Sequence, residues 1–309
     1  MTLPTLPTLS ATDGLKLRRT FMAIALTTLG VLAACTTPGN TSPSANPSAS
    51  PVTQPLSSER IAAVLASPDR SAADLRNDIR RKPDLMLAFI GVRPGMTVLD
   101  LSAGGGYTTE LLARAVGPNG RVYGQNAPRD PASPPRQPVV PEGNAAPSGA
   151  PETSMMSTAT AALPARQTLA ERAKNPAFNI VALTRKFEDP LPADVSAQTL
   201  DLATLMFNYH DLGYQGVDRM QMNRAVFRAL KTGGIYVIAD HAGRAGTGIS
   251  EAATLHRMEE AFLRQEVEAA GFKQVASGDF LRNPADPRDK NTPEPAQPKD
   301  EFVLKFMKP

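Results

Sequence analysis

Val98-Leu99-Asp100-Leu101-Ser102-Ala103-Gly104-Gly105-Gly106-Tyr107 reads as an apolar strand that ends at an acidic residue and runs into a glycine-rich turn. Thr108 to Ala115 then has the pattern of a helix. Glycine suits such a turn for two reasons: it accepts positive φ, and it lets a ligand approach a backbone that carries no Cβ. The following helix aims its free N–H groups and positive dipole end at the same place. A nucleotide-like ligand is therefore expected there. Two common kinds are disfavoured by the spacing. A dinucleotide fingerprint would need its third glycine where Thr109 stands, and a P-loop would need a lysine that Gly106-Tyr107-Thr108 does not supply.

Outward from this stretch, apolar runs alternate with helical patterns, which implies an α/β fold of parallel strands joined by crossover helices. Helices are expected over Ser58–Ala66, Asp69–Arg80 and Asp84–Phe89, ahead of a first strand at Thr97–Leu101. Arg121–Gln125, Asn179–Leu183, Leu200–Phe207 and Ile235–Asp240 are the next strands. Arg219–Leu230 is a helix stopped by Lys231-Thr232-Gly233-Gly234, and Ser250–Ala270 reads as one long helix closed by Gly271. Phe272–Ser277 and Glu301–Phe306 complete the strands.

The segment Asp100, Ser102, Gly104, Gly106 resembles the Asp-x-Gly-x-Gly-x-Gly motif of class I S-adenosylmethionine-dependent methyltransferases, with serine at the first glycine position. Leu230-Lys231-Thr232-Gly233-Gly234 resembles the turn before that family's fifth strand. Within the family the chain is most similar to a group of secreted bacterial predicted methyltransferases. That similarity rests on Gly104-Gly105-Gly106-Tyr107-Thr108, Asn208-Tyr209-His210-Asp211, Asp240-His241, Thr254–Arg257 and Glu266–Phe272. The resemblance implies a Rossmann-like, doubly wound, seven-stranded sheet, mostly parallel with an antiparallel last strand. It implies S-adenosyl-L-methionine as cofactor, and it narrows the fold more than the acceptor, which is expected to be a small molecule or an exported peptide group.

In an open α/β sheet the ligand lies beyond the carboxyl ends of the strands. Asp100, Ser102, Gly104, Gly105, Gly106 and Tyr107 are thus expected at the amino-acid end of the cofactor, with Asp100 alternatively a turn residue that orders the loop. After the second strand the family offers a carboxylate to the ribose, whereas this chain has Gln125 and Asn126, which accept less well. Glu188 and Asp189 resemble the acidic turn at the adenine edge, or are a solvated turn. Asn208 opens the loop after the fourth strand.

The chain has three histidines, His210, His241 and His256. The first two follow predicted strands, each beside an aspartate, Asp211 and Asp240. One of them is expected to act as general base, with strand-end packing as the alternative. His256 is expected on a surface or in packing. A metal site from His210, Asp211 and His241 is conceivable, but their spacing follows no recognised ligand pattern, so no metal is expected. The Asn208-Tyr209-His210 turn lacks the prolines of the motif used on nucleobase amines. With a net charge of only +3, 5% aromatic residues and no tryptophan, nucleic acid is not expected as a partner.

At the amino terminus, Leu15–Arg19 is basic and Phe21–Ala34 is an uncharged apolar run of 14 residues. A bilayer span needs about 20, so residues 1–34 read as a signal peptide. Leu32-Ala33-Ala34-Cys35 resembles a lipoprotein cleavage box, which implies lipidation at Cys35, the chain's one cysteine. Residues 35–56 read as a disordered Ser/Thr/Pro tether, residues 57–309 as the methyltransferase-like domain, and residues 127–166 as a proline-rich insertion. An envelope lipoprotein is therefore expected, with a cytoplasmic protein as the alternative. S-adenosylmethionine is made in the cytoplasm, which keeps a second function open: an exported protein of this fold that binds a nucleoside-like ligand without catalysis.

Overall fold

A computed structural model describes residues 54–129 and 167–309, apart from Ser196 and Glu294. The expected signal peptide, Cys35, nearly all of the tether and most of the proline-rich insertion lie outside the described residues. Among the described residues no helix is long and apolar enough to cross a membrane.

The strands are β1 (Thr97–Leu101), β2 (Arg121–Asn126), β3 (Ile180–Thr184), β4 (Leu200–Met206), β5 (Leu230–His241), β6 (Lys273–Gly278) and β7 (Glu301–Met307). They form one seven-stranded sheet in the order β3-β2-β1-β4-β5-β7-β6. All neighbours among β1 to β5 are parallel, and β7 runs antiparallel to both β5 and β6. This is the α/β architecture expected from the sequence. The order reverses between β1 and β4, so the loops after these two strands diverge and leave a crevice at their carboxyl ends.

Successive side chains on a strand face opposite sides. Val98 accordingly packs into one core, and Leu99 and Leu101 into the other. Helices α1 (Ser58–Leu65), α2 (Ala72–Arg81) and α3 (Pro83–Ile90) precede the sheet, and α4 (Tyr107–Val116) follows the glycine turn. Ser57 and Ser71 cap α1 and α2 by accepting the backbone N–H three residues on. Proline opens α3, where its missing N–H costs nothing. A short helix α5 (Leu169–Ala173) precedes β3, and α6 (Tyr209–Leu212) follows β4. Helix α7 (Arg219–Ala229) leads into β5.

Two expectations need correction. The turn expected at Lys231–Gly234 is part of β5, whose register against β4 shifts between Leu200 and Leu202, with Gly233 at φ +75°. The long helix expected over Ser250–Ala270 is two helices, α8 (Ala252–Leu255) and α9 (Glu260–Ala269). Between them the backbone leaves the helical ladder: Met258 N donates to His241 O, and Gly243 N donates to Met258 O. Arg257 is fully buried there, donating to Ala242 O and Lys290 O and pairing with Asp286 at 2.8 Å. Asp286 lies in the proline-rich piece 283–299, which thereby closes over the break.

Candidate functional site

A cavity of about 400 Å³ occupies the crevice beyond β1, β4 and β5. One wall is the glycine turn. Ser102, Gly104 and Gly106 have φ of +54°, +56° and +87°, a series of left-handed residues that only the glycines adopt at little cost. A Cβ on Gly104 would meet nothing nearer than a backbone oxygen at 4.0 Å, so its open side is available to a ligand. A Cβ on Gly106 would lie 2.8 Å from Arg172 Cδ. Gly106 therefore serves packing and turn geometry rather than ligand access.

Ser102 is held in its strained conformation from two sides. Its N–H donates to Gln125 Oε1 (3.1 Å), and its hydroxyl donates to Asn208 Oδ1 (2.5 Å). Gln125 is fully buried, and its amide donates to Arg185 O at 2.6 Å. It is thus a brace for the turn and not the ribose ligand expected of it. Asn126 is likewise engaged: its oxygen accepts from Gly104 N (2.8 Å) and its amide donates to Gly104 O (3.0 Å). Neither residue lines the cavity. Glu188 and Asp189 are also away from it. Glu188 accepts from Asp218 N at the start of α7, and Asp189 pairs with Arg185, which makes this a structural turn.

Asp100 pairs in register with Thr204 of β4. Its carboxylate accepts from Thr109 Oγ1 (2.6 Å) and Thr204 Oγ1 (2.7 Å), tying β1 to α4 and β4. Burial pushes its pKa up to about 6 despite both hydrogen bonds. Asp100 orders the turn while reaching the cavity wall. Tyr107, also on the wall, donates its hydroxyl to Asp78 of α2.

Sequence reasoning missed the outer support of the turn. Arg172 of α5 donates to Gly105 O (2.8 Å) and pairs with Asp74 (2.9 Å) and Glu110. The signal was present: Thr168 and Glu171 form a reciprocal capping box, an S/T-x-x-E pattern that marks a helix start. Arg81 was missed as well. Its guanidinium lies 3.9 Å from the ring centroid of Phe207 and lines the cavity, with no hydrogen bond or ion pair among the described residues. Burial and the neighbouring Arg80 push its pKa down to about 9.

All three histidines meet at the far wall. His210 Nδ1 lies 2.6 Å from Asp240 Oδ1, and its Nε2 lies 3.0 Å from Asp211 Oδ1. Burial opposes its charging, yet the two carboxylates outweigh burial and push the pKa up to about 10. The two carboxylates thus favour the protonated ring, so a general-base role, or a ligand role for Nε2, requires loss of that proton. His241 is buried, with its ring 5.3 Å from that of His210 and its Nδ1 3.0 Å from Glu301 Oε1. This follows from register, since His241 of β5 faces Glu301 of β7. His256, expected in packing, is instead at the site, with Nδ1 3.1 Å from Asp211 Oδ1. Its φ of +49° turns it there from the break between α8 and α9. Side-chain atoms of His210, Asp211 and His256 all lie within 4.8 Å of one another, a grouping suited to a metal ion that sequence spacing did not disclose.

The strand order and the antiparallel last strand give the chain the class I methyltransferase fold. The sequence model of the protein-L-isoaspartate(D-aspartate) O-methyltransferase family matches residues 82–130, from α3 through β2 and the glycine turn. No curated protein matches the chain. Among solved structures it is similar to a SAM-dependent methyltransferase from Aquifex aeolicus, at 17% identity over 82% of this chain and 100% of that one, with a TM-score of 0.48. It is also similar to an S-adenosylmethionine-dependent methyltransferase from Mesorhizobium loti, at 16% identity over 73% and 96%, with a TM-score of 0.43. Fibrillarin from Aeropyrum pernix, with natively bound S-adenosyl-L-methionine, shares 15% identity over 70% and 68%, with a TM-score of 0.39.

Proposed function

We propose that the chain is an S-adenosylmethionine-dependent methyltransferase acting on a small-molecule acceptor. The observation that carries this is the left-handed turn Ser102–Gly106, with Gly104 open to the cavity at the reversal of strand order. The family match over residues 82–130 supports the same reading. In it the turn and the first N–H groups of α4 hold the amino-acid end of the cofactor. Arg81, a guanidinium on the same cavity, receives the carboxylate of that end. With Asn126 engaged by Gly104, ribose recognition does not rest on a side chain after β2. The acceptor lies toward His210, Asp211 and His256. A cavity of about 400 Å³ falls in the range of small-ligand sites.

Methyl transfer is a displacement at the sulfonium methyl carbon: the acceptor atom forms a bond to the methyl group as the carbon–sulfur bond breaks. Alignment of the two reactants supplies most of what such a reaction needs. Incubation of the full chain with S-adenosylmethionine and a panel of small hydroxyl, thiol and amine acceptors should release S-adenosylhomocysteine with at least one of them. Tight cofactor binding with no release across the panel would favour the non-catalytic binding protein instead.

The amino-terminal pattern supports export and lipid anchoring at Cys35. Cys35→Ser should then leave the leader uncleaved and shift the protein out of the detergent-soluble membrane fraction. A parent protein found in the cytoplasm with Met1 intact would remove this part of the reading and leave the rest untouched.

A further inference from the structure

We infer that His210, Asp211 and His256 form a binding site for one borderline divalent transition-metal ion, of the Zn²⁺ class, at the acceptor end of the crevice. Two donors from α6 and one from the break between α8 and α9 converge there. His210 Nε2 and His256 Nδ1 lie 3.0 and 3.1 Å from Asp211 Oδ1, and all three atoms are within 4.8 Å of one another. Ligand atoms bound to tetrahedral Zn²⁺ at its usual bond lengths stand about 3.3 Å apart. The donors therefore need only small movements to close on an ion. Two imidazoles and one carboxylate form a donor set for zinc or iron(II) rather than for calcium or magnesium. Three protein ligands leave a position for a water or a substrate atom, and all three residues line the cavity.

The outer contacts point the same way. A metal-bound histidine usually donates its other ring N–H to a carboxylate, which fixes the tautomer and raises its basicity. His210 Nδ1 has that partner in buried Asp240, whose other oxygen accepts from His210 N at 2.8 Å. The carboxylate ligand is oriented too. Asn208 Nδ2 donates to Asp211 Oδ2 (2.7 Å), and Tyr214 donates its hydroxyl to Oδ1 (2.9 Å). His256 itself, a non-glycine residue, has φ +49° and is anchored by the next residue, fully buried Arg257. Strained backbone of this kind persists where its surroundings hold it, and it clusters at functional sites.

This inference does not depend on the cofactor, so its test omits S-adenosylmethionine. The full chain, free of any affinity tag and stripped with chelator, is titrated with Zn²⁺ by calorimetry and with Co²⁺ by visible absorption. One ion per chain is expected, with the intense d–d bands of a low-coordinate Co²⁺ site. His256→Ala, at a half-exposed position that tolerates truncation, and Asp211→Asn, which keeps the side-chain shape, should each weaken Zn²⁺ binding at least a hundredfold. Asp240→Asn, acting through His210, should weaken it about ten- to a hundredfold. Cys35→Ser should bind like the parent. Absence of Zn²⁺ uptake by the parent, or parent-like uptake by both His256→Ala and Asp211→Asn, overturns the site. Loss of uptake in Cys35→Ser overturns it equally.

Discussion

Asp100 is the residue on which the crevice turns, and its chemistry makes a pH prediction. In the folded chain its pKa is raised from 3.8 to about 6, chiefly by burial. Its contribution to stability is therefore fully present below the unfolded value and is lost as pH rises through the folded one. Asp100→Asn removes that dependence. Between those two values the stability of the variant relative to the parent should climb by on the order of 3 kcal/mol, read from urea unfolding at a series of pH values. A constant difference would mean that Asp100 titrates alike in both states. At Gln125 the same reasoning reverses what the sequence suggests. A glutamate there looks like a restored ribose ligand, but its second oxygen would face Arg185 O in a fully buried place. Gln125→Glu should destabilise the chain by about 1–3 kcal/mol without tightening cofactor binding. Gly106→Val combines a left-handed backbone with the collision against Arg172, and should also cost about 1–3 kcal/mol from the backbone alone.

Among the elements, the break between α8 and α9 decides where His256 sits. Arg257 holds that break through Asp286, Ala242 and Lys290. Truncating one member of a buried ion pair leaves the other charge stranded, so Arg257→Met should lower stability by about 3–5 kcal/mol. Arg257→Met combined with Asp286→Leu should recover much of that loss, and equal losses in the single and double variants would contradict the account. The break also shows where sequence reasoning stops. Ser250 to Ala270 has a helical pattern throughout, and nothing local marks Arg257 as a buried residue whose partners lie just after β5 and in the segment 283–299. The strands were legible because their apolar runs are bounded by glycine and charge. The helix α5 was legible in principle from Thr168 and Glu171, whose reciprocal capping was overlooked beside the low-complexity run before it.

At the scale of the molecule, the strand order placed His210 and His241 at the crevice as their positions after strands implied. Asp211 was legible beside His210, but the pairing of His210 with Asp240 and of His241 with Glu301 was not, because it arises only where the end of β5 packs against α6 and through β5–β7 register. The glycine turn was legible as a ligand site, but the bracing role of Gln125 and Asn126 depends on where two strand ends fall in space. What unites these parts is the claim that S-adenosylmethionine lies on the turn at Gly104. Calorimetric titration of the full chain with S-adenosylmethionine, beside Gly104→Val, tests it most directly. The account predicts one cofactor bound per parent chain, and a folded Gly104→Val whose affinity is lower by at least about a hundredfold, or about 2.7 kcal/mol. A parent that binds no S-adenosylmethionine, or a folded Gly104→Val that binds it as tightly as the parent, would contradict the account.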